Sequence, residues 1–134
     1  MNDQCIFCAI ADRSAPAEVV QADDHTIAFL DISPATRGHT LVIPRQHSSD
    51  VFEISTDDIE RVARMAKQIA GRMPAALSCD GVNLLNSSGS AAWQTVHHFH
   101  MHVIPRYDND PLKLPWTPGA LASEDLPQIA EALR

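Results

Sequence analysis

The stretch Gln94-Thr95-Val96-His97-His98-Phe99-His100-Met101-His102-Val103-Ile104 sets imidazoles at alternate positions among apolar side chains. Successive strand side chains point to opposite faces, so His98, His100 and His102 share one face and Phe99, Met101 and Val103 the other. The segment reads as a strand from His98 to Ile104, ended by Pro105, with its apolar face in a core. Its histidine face lines something polar. His97 falls on the apolar side or precedes the strand. Three imidazoles this close cannot all be protonated at neutral pH, because like charges depress one another's pKa. At least one is left neutral, with a ring nitrogen free to act as nucleophile, base or metal ligand. A metal site and a nucleophile site both remain open on this evidence. A row of solvated surface histidines fits poorly with an internal position among alternating apolar residues.

Toward the N-terminus, Glu18–Gln21 and Thr26–Leu30 read as two strands joined by a turn at Ala22-Asp23-Asp24, with Ser33-Pro34 stopping the second. His39 to Ile43 makes a third strand, closed by Pro44. Ser55, with Asp58 three residues on, opens a helix in which Ile59, Val62, Ala66, Ile69 and Met73 recur at helical spacing. Pro74 is expected to end or kink it. Gly81 leads into a strand at Val82–Asn86, and Ser87–Ala92 is a loop. The tail from Asp108 to Gly119 carries three prolines and is expected to wrap the surface, before a short helix at Ser123–Leu133. The pattern predicts an α+β fold: an antiparallel sheet of about five strands with one long and one or two short helices. It reads as one domain over residues 1–134, with 108–134 a C-terminal extension.

The chain has 134 residues, of which 45% are hydrophobic and 20% charged, enough for a single core. Its net charge of −7, with Arg37, Arg45 and Arg106 scattered, argues against nucleic acid or an anionic membrane as partner. A small anionic ligand is still compatible with a local pocket. No signal peptide and no apolar run long enough to span a membrane are visible, so a cytoplasmic protein is expected. The three cysteines do not suggest a disulfide framework. Cys79 reads as a small buried apolar side chain. Cys5 and Cys8 form a CxxC pair that suits a metal, a redox couple or two buried thiols equally. His25, in the hairpin turn, reads as solvated.

The histidine stretch resembles the signature of the histidine triad (HIT) family, His-φ-His-φ-His-φ-φ with a preceding Gln-x-Val. Asp31-Ile32-Ser33-Pro34 followed by Gly38-His39-Thr40-Leu41-Val42-Ile43-Pro44 is similar to the family's other landmark. The matches run from about Cys5 to Arg106 and are closest to the Hint-like branch. The resemblance implies a purine-nucleotide-binding enzyme that transfers a nucleotidyl group through a covalent histidine intermediate. His100 would attack the α-phosphorus of a nucleoside phosphoramidate, His102 would contact the phosphate and assist proton transfer, and His39 would line the same pocket. Charge on the phosphate oxygens needs fixed donors, which Thr95, Gln94 and the backbone near Ala92 could supply. Asp31 could accept hydrogen bonds from the ribose diol, or equally cap the turn before Ser33-Pro34. Phe7, Phe29 and Ile32 would form the slot around the base, or belong to the core.

Two positions depart from the Hint pattern. Ser87 stands where the family commonly has an Asn near the phosphate and ribose, with Asn86 one place earlier as the candidate, and Trp93 occupies a position often held by glycine. Some bacterial relatives hold structural zinc with residues that correspond to Cys5, Cys8, His47 and His98. In that case His98 anchors the strand end while His100 and His102 do chemistry. The resemblance also implies a homodimer, with Trp116-Thr117-Pro118-Gly119 similar to a C-terminal stretch that reaches toward the partner's active site. Two rival functions remain: a dinucleoside polyphosphate hydrolase like the Fhit branch, and a nucleotide-binding or scaffold protein without turnover.

Overall fold

Asp23 folds the first hairpin: its Oδ1 accepts the N–H groups of His25 and Thr26, at 2.9 and 2.8 Å, and the Thr26 hydroxyl at 2.8 Å. In the computed structural model, which describes residues 4–117, 119 and 125–134, this turn joins Val19–Ala22 (β1) to Thr26–Leu30 (β2). Thr40–Pro44 (β3), Gly81–Leu85 (β4) and Met101–Arg106 (β5) complete one antiparallel sheet of order β1-β2-β3-β5-β4. The expected α+β architecture is present.

Both faces of the sheet's centre are buried, and alternation divides them. Ala28, Val42, Phe99 and Val103 face the long helix Thr56–Leu77 (α2), which contributes Val62, Met65, Ala66, Ile69 and Met73 to the same cluster; Cys79 joins it. Ile27, Phe29, Leu41 and Ile43 face the other way, against Phe7, Ile10 and Ala11 of a short helix, Ile6–Ala11 (α1). Ser55 caps α2 as expected, its hydroxyl accepting the Asp58 N–H at 3.1 Å. A last helix spans Leu126–Leu133 (α3), and Ser123, where it was expected to begin, lies outside the described residues. No described helix is long and apolar enough to cross a membrane.

One proline stops its element as expected and two do not. Pro44 ends β3 opposite Thr26, and Pro105 sits inside β5 opposite Val82. Neither has a partner in the β3–β5 ladder, which pairs only Thr40, Leu41 and Val42 with Val103, His102 and Met101. A missing N–H is tolerated on an edge without a neighbour. Pro74 lies within α2, which continues one more turn to Leu77; Ser78 then closes it in the left-handed region and donates its N–H to the Pro74 carbonyl. The alternating histidines also begin before their strand. β5 starts at Met101, so only His102 belongs to it. His97 precedes it, exposed.

Gly38 makes the turn into β3 with φ of +96°, and a Cβ there would collide with the Leu77 side chain and stand 3.3 Å from Pro105 Cγ. Gly38→Ala is therefore expected to lower stability by about 1–3 kcal/mol. Denaturant unfolding at constant m-value checks this, and an unchanged midpoint would contradict the strained turn.

Candidate active site and metal centre

Four side chains from three parts of the chain converge beneath α1. Cys5 caps the helix, its Sγ accepting the Cys8 N–H at 3.3 Å. His47 follows β3, and His98 precedes β5. The His98 Nδ1 lies 3.3 Å from Cys5 Sγ and 3.5 Å from Cys8 Sγ, and the His47 Nδ1 lies 3.4 Å from Cys8 Sγ. A tetrahedral zinc with bonds of about 2.3 Å to sulfur and about 2.0 Å to nitrogen separates S and N ligands by about 3.5 Å, so these donors fit one ion. The second ring nitrogen agrees. His98 Nε2–H donates to the Pro44 carbonyl at 2.8 Å, which leaves Nδ1 with its lone pair toward the thiols.

His100, buried, stands beside this cluster but uses its ring differently. Its Nδ1–H donates to the His98 carbonyl at 2.7 Å, so Nε2 carries the free lone pair. Burial lowers its pKa, opposed by the His98 carbonyl and by Asp31. A neutral imidazole with Nε2 free is a nucleophile.

A second chain of bonds fixes the other two histidines. The Ala35 N–H donates to His39 Nδ1 at 2.9 Å, so the hydrogen of His39 is on Nε2. That nitrogen is 2.9 Å from His102 Nδ1, which must accept, and the hydrogen of neutral His102 is left on its Nε2. Burial, then His100 and His39, push the His102 pKa down to about 4, against Asp31. His39 is lowered by burial, again against Asp31. Asp31 Oδ2 lies 3.7 Å from His39 Nε2. Asp31, His39 and His102 have the composition of a metal site. With Nε2 protonated, however, His39 has no lone pair to offer, and the trio is a hydrogen-bonded imidazole pair beside a carboxylate.

His100 and His102 line a cavity of about 560 Å³ with Phe7, Phe29, Asp31 and Thr95. Ile32 stands at its mouth, 96% exposed. Phe7 meets Phe29 and His100 edge-on, with ring centres 5.4 and 5.1 Å apart. Asp31 caps its turn, Oδ1 accepting the Ser33 N–H at 2.8 Å, and also lines the cavity. Asn86 and Gln94 do not line it. Asn86 Nδ2 donates to the His100 carbonyl at 3.0 Å, and Gln94 spans the Gly89 N–H and the carbonyls of Ser49 and Val96. Both brace backbone. Trp93 sits at φ of +73°, a conformation that favours glycine, with its side chain largely in solvent. Sequence reading missed Ile10, Pro16 and Leu41 of the cavity wall, whose apolar character has no signal beyond ordinary core.

A family model described as HIT domain matches residues 12–109. The chain belongs to the HIT domain family. Among solved structures, this HIT protein is similar to a HIT family protein from Bacillus anthracis (40% identity, TM-score 0.90, covering 99% of this chain and 96% of that one). A Zn-bound histidine triad family protein from Mycobacterium smegmatis shares 38% identity, with TM-score 0.79 and coverage of 96% and 97%. A histidine triad nucleotide-binding protein from Candida albicans shares 29%, with TM-score 0.85 and coverage of 97% and 94%.

The Ala35–His39–His102 hydrogen bonds have a spectroscopic consequence. Imidazole ¹⁵N spectra should show hydrogen on Nδ1 of His100 and on Nε2 of both His39 and His102. Because burial lowers the His102 pKa, lowering the pH through 6.5 should leave it neutral, with protonation only near pH 4. A His102 that titrates near 6.5, or a His39 with hydrogen on Nδ1, would refute this arrangement.

Proposed function

We propose that this HIT protein is a nucleotide-binding hydrolase of the Hint-like, zinc-containing type, cleaving purine nucleoside phosphoramidates at the α-phosphorus. One observation carries the reading: the His100 Nδ1–H bond to the His98 carbonyl leaves a neutral Nε2 in a ring that lines the cavity. His100 Nε2 attacks phosphorus as the P–N bond breaks. The leaving nitrogen takes up a proton by way of His102, itself hydrogen-bonded to His39, and departs as a neutral amine. Water then cleaves the nucleotidyl-His100 bond, giving a nucleoside monophosphate, and the proton it releases replaces the one taken up. Thr95 and His102 face the phosphate, Asp31 takes the ribose hydroxyls, and Phe7, Phe29 and Ile32 take the base. Asn86 and Gln94 contribute to nucleotide binding by holding His100 and the 89–96 segment in place.

Cys5, Cys8, His47 and His98 would hold structural zinc; four protein ligands leave no open position on the ion for substrate. The Zn-bound Mycobacterium smegmatis relative supports the metal, and the nucleotide-binding Candida albicans relative supports nucleotide binding. We place the chain in the cytoplasm, a reducing compartment in which Cys5 and Cys8 would stay available to a metal ion as thiolates. A homodimer, without nucleic acid or membrane as partner, is supported by the edge strand β4, whose Leu84 and Leu85 are exposed. Residues 108–134 form an extension beyond the family core, with Trp116 on its surface.

Adenosine 5′-phosphoramidate and a diadenosine polyphosphate, assayed side by side, test the function. The phosphoramidate should turn over faster, and His100→Ala should lower kcat/KM on the order of 10³-fold or more. Faster polyphosphate cleavage would favour the Fhit-like alternative, and turnover of neither the binding-protein one. Acid-quenched protein should carry the nucleotidyl group on His100; an adduct elsewhere ends the mechanism. Elemental analysis of protein purified without a histidine tag should find about one zinc per chain.

A further inference from the structure

The nucleophile stands outside the sheet. The β5 ladder begins at Met101, so no strand pairing fixes His98, Phe99 or His100. What fixes them is a set of bonds that converge on the metal centre. The His98 ring points Nδ1 at Cys5 and Cys8 and donates from Nε2 to Pro44, and its carbonyl accepts the His100 Nδ1–H. The Phe99 N–H donates at 2.7 Å to the carbonyl of Ser48, the neighbour of His47.

The same centre holds one wall of the cavity. α1 has six residues, too few to be helical alone. It supplies Cys5 and Cys8 to the metal cluster, while Ile6, Phe7 and Ile10 line the cavity. Phe7 also lies edge-on to both histidines, 6.0 Å from the His98 ring centre and 5.1 Å from that of His100.

We infer that the Cys5–Cys8–His47–His98 centre is a positioning device for catalysis, with His98 as the positioning residue: through its carbonyl it sets the ring of His100, and through α1 the centre sets the base side of the cavity. This rests on the reading of His100 as the nucleophile. The centre's occupancy then controls substrate affinity and the nucleophile's tautomer as well as stability.

The test uses full-length zinc-loaded protein, the same protein after chelation (shown metal-free by elemental analysis), His47→Ala and His47→Cys. Zinc-loaded protein should show His100 with hydrogen on Nδ1 alone. Chelated protein and His47→Ala should show the two His100 nitrogen signals drawn together by tautomer averaging, and affinity for adenosine 5′-monophosphate weakened about tenfold or more. His47→Cys, which keeps a fourth ligand, should restore both. Unchanged His100 signals and unchanged affinity in folded metal-free protein overturn the inference, as does a chain that binds no metal at these residues. If chelation unfolds the protein, Cd²⁺-loaded and Zn²⁺-loaded forms are compared: the longer Cd–S bonds should move the His100 signal, and identical signals overturn the inference. Neither readout needs turnover, so a protein that shows the coupling but cleaves nothing would sink the hydrolase reading alone.

Discussion

The site depends on one residue held at three points. His98 is fully buried, and its Nε2–H, its Nδ1 lone pair and its carbonyl oxygen each have a partner from a different part of the chain: β3, α1 and His100. An ordinary hydrogen bond contributes about 1 kcal/mol net, and the Phe99, Asn86 and His98 bonds to this segment are ordinary ones. A structural zinc contributes on the order of 10 kcal/mol of apparent binding energy at neutral pH. The residues here fit such an ion, and its binding would outweigh the hydrogen bonds in holding residues 98–100.

Charge poses a separate constraint. To bind the proposed nucleotide, a chain of net charge −7 would have to hold an anionic phosphate, and among the described residues no Lys or Arg lines the cavity. Arg106 is committed to Asp110 and Asn83, and Arg45 to the carbonyls of Asp23 and Ala11. The phosphate must then be met by hydrogen-bond donors of low net charge, the Nε2–H of His102 and the Thr95 hydroxyl among them. Asp31 would repel it. A carboxylate on the same wall is useful only toward hydroxyl donors, which is the physical reason to assign it to the ribose.

Much of this was legible in the sequence. The period-2 alternation separated the buried Phe99 and Val103 from the histidine row, the helical stripe Val62, Ala66, Ile69 and Met73 packs as its spacing demanded, and the antiparallel fold followed from the short turns. The four metal-fitting residues came from the family resemblance, because nothing local ties Cys5 and Cys8 to His47 and His98. The errors share a cause. Propensity assigns a residue by its neighbours in sequence, whereas Pro105 is decided by whether a partner strand stands on the side where its N–H is missing, and Pro74 by its place in the last turn of a helix that ends at Leu77. α1 was invisible because six residues do not make two turns of periodicity.

The start of β5 was misjudged for a more instructive reason. Alternation reports which face a side chain takes, and it stays the same whether or not the backbone pairs. At His98 and His100 the carbonyls are taken by an imidazole and by the Asn86 amide, partners that a regular ladder would have displaced. The Ala35 N–H plays the matching part on the other side of the cavity. By occupying Nδ1 of His39 it sends the hydrogen to Nε2, bars a metal there, and aligns His102 as a donor. His100 and His39 thus take opposite tautomers from main-chain groups, and His102 takes its own from His39. A ring nitrogen assigned by a main-chain donor or acceptor returns to that assignment after a proton has moved, because the backbone group is not itself consumed.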